Sequence, residues 1–219
     1  MKRLFHINGN KGSGKSLLLQ WLSEDGFYTT EVRFHLEKAM REKIFDAKKI
    51  PDPFWWTKKM INICYEDIKE KDLIFLTGLY SKEEIKFFEE KGYEVHLVGI
   101  QASEDVRHER ILKRAREKEE GLTKEQLEAK DRKRQGKEKG YEDKADVESL
   151  IKDSEIVLKN ESTIQKFRKE YERLKDFLGA KYKISFPFLS MNKQVKDIHS
   201  TTNHNHIQGS FQNKECYYP

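Results

Sequence analysis

Short apolar runs alternate with longer amphipathic stretches from residue 3 to about residue 178. Arg3-Leu4-Phe5-His6-Ile7 is short and β-prone and reads as a strand, whereas Ser16 to Leu22 reads as an apolar helix. Gly26 to Phe34 carries β-branched and aromatic residues, consistent with a second strand or an extended link. A helix is predicted over 35–47 and is broken at Ile50-Pro51-Asp52-Pro53. Asp52 is placed to cap the next helix, with Pro53 at its first position. Trp55, Lys59, Ile63 and Asp67 then recur at helical spacing through 54–69. Leu73-Ile74-Phe75-Leu76 has the continuous apolar character of a buried parallel strand.

Ser81, with Glu84 three residues on, forms a capping box that opens a helix, and Gly92 closes it. Tyr93 to Ile100 reads as a strand, and Ser103 caps a charged helix running to about Glu119. Residues 120–144 are almost wholly charged and polar, with short helical stretches and little to bury. A helix near 145–152, a strand at Glu155–Leu158 and a helix from Ser162 to about Leu178 complete the pattern. The order β-α-α-β-α-β-α-β-α predicts an α/β fold, a parallel sheet with helices on both faces. Residues 180–219 lack periodicity and are rich in Asn, Gln, Ser, Thr and His, as in a tail that is disordered or packs as an appendage.

Between the first strand and the first helix lies Gly9-Asn10-Lys11-Gly12-Ser13-Gly14-Lys15-Ser16, which fits G-x-x-x-x-G-K-[ST] at every fixed position. Strand, loop and helix are the setting in which such a loop wraps phosphates. The glycines let the backbone turn tightly, so that its N–H groups converge on phosphate oxygens at the positive end of a helix. The nucleotide-binding candidates are therefore Gly9, Asn10, Lys11, Gly12, Ser13, Gly14, Lys15, Ser16 and Leu17. Lys15 is placed for the β/γ-phosphates and the Ser16 hydroxyl for Mg²⁺.

Composition adds limits. The chain has 219 residues, 37% of them charged, and no apolar stretch long enough to span a membrane. The loop interrupts any apolar signal segment at the N-terminus, and Cys64 and Cys216 are too few and too far apart for a disulfide framework, so a cytoplasmic location is expected. A net charge of +5 suits anionic substrates without requiring nucleic acid. His199, His204 and His206 have no Cys or carboxylate partners at a metal-site spacing and read as solvated tail.

In its tighter form, G-x-x-G-x-G-K-S, the loop resembles that of P-loop kinases acting on small phosphate acceptors. Residues 1 to about 178 resemble the nucleoside monophosphate kinases, and more closely their adenylate kinase-like and dephospho-CoA kinase-like branch. Glu109-Arg110-Ile111-Leu112-Lys113-Arg114 is similar to the segment opening the adenylate kinase lid, and Lys130-Asp131-Arg132-Lys133-Arg134 to the arginine-bearing return of that lid. Asp153 to Ser162 resembles the A-D-x-x-I-x-N-x-G-S segment of dephospho-CoA kinases and their relatives. The resemblance implies a three-layer α/β/α P-loop kinase fold over 1–178, a charged lid at about 117–144 and a C-terminal extension at 179–219. It also implies ATP as donor, Mg²⁺, and Lys15, Arg110, Arg114, Arg132 and Arg134 as catalytic residues. The residues alone agree in part: Arg110 and Arg114 share a helix face at i and i+4, with Arg107 near it, and guanidinium groups suit the charge that spreads over a transferring phosphoryl group.

The acceptor candidates are Glu31, Arg33, Trp55 and Tyr80. Arg33 stands where monophosphate kinases place an arginine on the acceptor phosphate; Trp55 and Trp56 suit either base stacking or a helix core; Tyr80 follows a central strand at the edge where α/β sheets bind ligands. Two positions depart from the family pattern. Thr77 stands where many P-loop enzymes carry an Asp that helps hold Mg²⁺, and Glu31 is the nearest acid after the second strand, for a metal-water or acceptor-orienting role. The expected reaction is transfer of the ATP γ-phosphoryl group to a small acceptor, foremost a nucleoside or deoxynucleoside monophosphate, with dephospho-CoA as runner-up. A nucleotide-binding regulatory protein with weak transfer and a polynucleotide 5′-kinase are the alternatives.

Overall fold

The apolar runs become five parallel strands: β1 (Lys2–Asn8), β2 (Thr29–Glu31), β3 (Leu73–Thr77), β4 (Tyr93–Gln101) and β5 (Ile156–Lys159). The helices are α1 (Lys15–Glu24), α2 (Val32–Arg41), α3 (Pro53–Ile68), α4 (Lys82–Glu90), α5 (Glu104–Arg114), α6 (Lys124–Arg134), α7 (Val147–Lys152) and α8 (Ile164–Tyr182). This computed structural model describes residues 1–42, 53–114, 121–135, 137 and 146–186, excepting the side chains of 53–57 and 134.

The sheet order is β2-β3-β1-β4-β5, which puts β1 and its loop at the centre. Alternation along each strand divides the core between two layers. Phe5, Ile7, Phe75, Val98 and Ile100 face α1 and α8, with Leu18, Leu22, Phe167, Tyr171 and Leu174 packed on them. Leu4, Ile74 and Leu76 face the opposite way, against Ile61 and Ile68 of α3, Ile85 and Phe88 of α4 and Leu150 of α7. Each such large apolar side chain contributes about 1.5–3 kcal/mol by leaving water, so the sheet that carries the loop is held rigidly from both faces. Cys64 is buried in the second layer, and burial first, then Asp67, pushes its thiol up to about 12, leaving it without nucleophilic character.

The expected capping box is present: the Ser81 side chain accepts from the Glu84 N–H, and the Glu84 carboxylate accepts from the Ser81 N–H. Other boundaries move. α2 begins at Val32 rather than residue 35, because Glu31 still has extended backbone and acts as the N-cap, so Arg33 lies on the first helical turn. The charged segment expected to bury little contains α6, opened by a capping box of Thr123 and Gln126, and it buries Leu127 and Asp131 at 2% and 5% exposure. The periodicity was hidden because one of those two buried residues is an acid. α8 runs on to Tyr182, where Ile184 and Phe186 also pack on the core, so the folded body reaches at least residue 186. The proposed Asp52 cap, the ends of the 35–47 and 104–119 helices, and the tail beyond 186 lie outside the described residues. Among the described residues no helix is long and apolar enough to cross a membrane.

Candidate nucleotide and acceptor site

The loop folds as its glycines require. Gly12 and Gly14 have φ of 84° and 109°, in the region that L-residues with side chains avoid. Space reinforces the backbone argument. A Cβ on Gly14 would lie 2.4 Å from Asn160 Nδ2 and 3.1 Å from the Phe167 ring. Gly14→Ala is therefore expected to cost roughly 2–4 kcal/mol, from strain plus the lost Asn160 contact, and to abolish nucleotide binding. Urea unfolding and ATP titration of the variant check this.

Lys15 folds back over the loop, its Nζ donating to Gly9 O at 2.6 Å and to Asn10 O at 3.1 Å. Ser13 Oγ and Asn10 Oδ1 are buried and have no hydrogen-bond partner among the described residues. The Ser13 hydroxyl, a donor in a glycine-built cradle beside an ammonium group, fits a polyphosphate ligand. Ser16 is exposed on the first turn of α1, and Leu17 packs on the core behind it.

Beneath the loop lies a residue that sequence reading passed over. His6 is fully buried on β1, and its Nε2 accepts from the Leu79 N–H at 3.3 Å. Burial first, and the Lys15 charge second, push its pKa down to about 3, so it stays neutral and adds no second positive charge under the loop. A histidine within an otherwise apolar strand run was the available signal.

The loop is held by two further elements. Asn160, after β5, donates from Nδ2 to Ser13 O at 2.8 Å. Arg110 in turn grips the Asn160 segment, with Nη1 on Asn160 O at 2.9 Å and Nη2 on Asn160 Oδ1 at 3.0 Å and Ser162 O at 3.1 Å. Of the arginine pair on α5, Arg110 thus ties α5 to the β5–α8 turn, which Asn160 joins to the loop, and Arg114 is exposed at the end of the helix. Arg107 is 3% exposed and donates to Lys11 O at 3.1 Å and to Asp131 Oδ2 at 2.5 Å. Arg132 lines a cavity of about 470 Å³ between α5 and α6, with Glu104, Asp105, Glu128 and Asp131; it is not among the residues lining the cavity of about 570 Å³ beside Asn10 and Arg107, which meets the first at Glu104 and Gln135. Arg134 lies on α6, and its side chain is outside the described residues. Asn160 and Asp131 both stood in segments that carried the family resemblance, yet neither has chemistry legible without its partner.

At the acceptor edge, Glu31 stands in register with Thr77 at the ends of the adjacent strands β2 and β3. The Thr77 hydroxyl donates to Ile7 O at 2.8 Å, so its proton is committed to the backbone of β1. Arg33 lies between two acids, its Nε 3.7 Å from Glu31 and 3.5 Å from Glu37, with its side chain half exposed. Trp55 is on α3, with its side chain outside the described residues. Tyr80 sits in the β3–α4 turn, where its carbonyl accepts from the Asp146 N–H at 2.8 Å and its own N–H donates to Glu84. That contact ties the turn to the start of α7.

Burial pushes the Glu84 carboxyl up to about 7, against the two backbone N–H groups that favour its charged form. The folded state therefore binds the proton more tightly than the unfolded chain. The resulting stabilisation is full below about pH 4.5 and is lost as pH rises through about 7. Glu84→Gln keeps the capping acceptor and stays neutral. Over that window the wild type is expected to lose on the order of 2–3 kcal/mol relative to E84Q, measured by urea unfolding at a series of pH values.

For a cation, the described residues offer two settings. Glu104, His108 and Asp131 bring ligand-type atoms within 4.8 Å of one another, but the Arg107 guanidinium already holds Asp131 Oδ2 and repels a metal ion there. At the loop, the exposed Ser16 hydroxyl is an oxygen ligand of the kind Mg²⁺ takes.

No family model matches the chain, and no curated protein matches it by sequence. Solved structures do match. Shikimate kinase from Acinetobacter baumannii in complex with shikimate aligns with a TM-score of 0.55 at 15% identity, over 83% of this chain and 96% of that one. Shikimate kinase from Bacteroides thetaiotaomicron gives 0.54 at 13%, over 81% and 98%. TT1252 from Thermus thermophilus gives 0.53 at 18%, over 81% and 98%. The central loop strand, the parallel order and these likenesses together establish a three-layer α/β/α parallel-sheet P-loop kinase fold.

Proposed function

We propose that the protein is an ATP-dependent kinase that transfers the γ-phosphoryl group to a hydroxyl of a small acceptor. The observation that carries this reading is Glu31 in register with Thr77, a carboxylate at the end of β2, with β3 between it and the loop strand β1. A hydroxyl acceptor needs a base for its proton, whereas a phosphate acceptor is already anionic and needs cations that outweigh nearby acid. Arg33 is bracketed by Glu31 and Glu37, which favours the first requirement over the second. The shikimate kinases that share the fold are in keeping with such an acceptor.

In this mechanism the loop amides and Lys15 hold the donor phosphates, and Arg110 with Asn160 fixes the rim of the donor site. Glu31 takes the acceptor proton as the acceptor oxygen bonds to the γ-phosphorus. The bond from that phosphorus to the β–γ bridging oxygen breaks, and ADP leaves with the electron pair. Mg²⁺ would be held through the Ser16 hydroxyl and would supply charge neutralisation for the phosphates. Thr77, neutral and already bonded to β1, orients without adding charge.

The test is ADP release from ATP with a panel of small hydroxy acids and polyols, dephospho-CoA and nucleoside monophosphates. Turnover with hydroxyl acceptors, dephospho-CoA included through its ribose, is the expected result. The second reading is a monophosphate acceptor clamped by Arg33, and turnover with nucleoside monophosphates alone would replace the first reading with it. ATP binding without turnover on any acceptor would leave a nucleotide-binding regulatory role.

A further inference from the structure

We propose that Asp131 is a positioning residue for the phosphate-binding loop: through Arg107 it makes the loop's shape depend on the docking of α6. The proposal rests on the reading of the loop as a nucleotide site. It starts from a buried ion pair outside the reacting groups. The Arg107 and Asp131 side chains are 3% and 7% exposed and 2.5 Å apart. The same guanidinium donates from Nε to Ala102 O at 3.2 Å and from Nη1 to Lys11 O at 3.1 Å. The backbone of Arg107 also backs the loop, since a Cβ on Gly12 would lie 2.8 Å from Arg107 O. One residue therefore supports the loop at two consecutive positions, Lys11 and Gly12.

A guanidinium this buried holds its place only with a counter-charge, because an unpaired buried charge moves toward water. Asp131 supplies that charge, and His108 Nε2, 3.3 Å from the same oxygen, completes the cluster. Asp131 belongs to α6, whose hold on the body is slight. Leu127 and Asp131, four residues apart on one helical face, are its buried residues among those described, and the rest of the helix is chiefly charged. Undocking α6 therefore removes the counter-charge, frees Arg107 and releases Lys11 O. By linkage, a ligand that fixes the loop in its supported shape favours docked α6 to the same degree that docking favours the ligand.

The experiment compares ATP binding by calorimetry with hydrogen exchange in α6 and in Gly9–Ser16, for the wild type and Asp131→Asn. The expected result is about tenfold weaker ATP binding in D131N, the worth of one charge-assisted hydrogen bond. ATP should also slow exchange in α6 of the wild type and not in D131N. If D131N fails to fold, the paired variant R107M/D131L fills the same space without charge. It is expected to keep α6 docked and still lose about tenfold in ATP affinity. Wild-type affinity in D131N or in the paired variant, or α6 exchange indifferent to ATP in the wild type, overturns the proposal alone. A wild type that does not bind ATP overturns the nucleotide reading and the proposal with it.

Discussion

Glu31→Gln is expected to lower kcat about 10²–10⁴-fold while leaving ATP affinity within about threefold. The amide keeps the size and hydrogen-bonding reach of the carboxylate but accepts no proton. Its place at the N-cap of α2 predicts no loss of fold, because the Glu31 side chain makes no capping hydrogen bond. Steady-state ADP release and ATP titration separate the two effects. Equal losses in kcat and ATP affinity would make Glu31 a metal-holding group rather than the base. Unchanged kcat would remove it from the chemistry, and the hydroxyl-acceptor reading would lose its carrier.

Lys15→Met ranks second, with an expected loss of about 10²–10³ in kcat, the scale of removing one preorganised charge from the developing phosphoryl charge. The unliganded protein should lose little stability. Lys15 here bonds two loop carbonyls, and its charge lies close enough to His6 to help lower that residue's pKa. Methionine keeps the stem and removes a positive charge from a crowded, partly buried place. Thermal melting should therefore stay within a few degrees of the wild type while turnover collapses. Residual turnover above about a tenth of the wild type would be incompatible with Lys15 as a transition-state charge.

Most of the fold was legible in order. Continuous apolar strands and the Ser81–Glu84 capping box are local signals, and β1, β3, β4, β5 and the capping box appear where their patterns placed them. α6 was not legible as a packed element, because its burial rests on Leu127 and on an acid whose partner lies on α5. The start of α2 was misplaced because β2 is three residues long and Glu31 serves both as its last residue and as the helix cap.

The sequence by itself determined the loop from Gly9 to Ser16 and the α/β pattern around it. A phosphate cradle is built from consecutive residues, and strand and helix periods are written in neighbouring positions. Tertiary structure decided what surrounds that loop. It aligned Glu31 with Thr77, turned Arg110 onto Asn160, and set Arg107 between Lys11 and Asp131. These partners lie far apart along the chain, and a charge's role depends on the charge it meets once water is excluded. No spacing rule encodes that meeting, because it follows from which helix packs over which strand end.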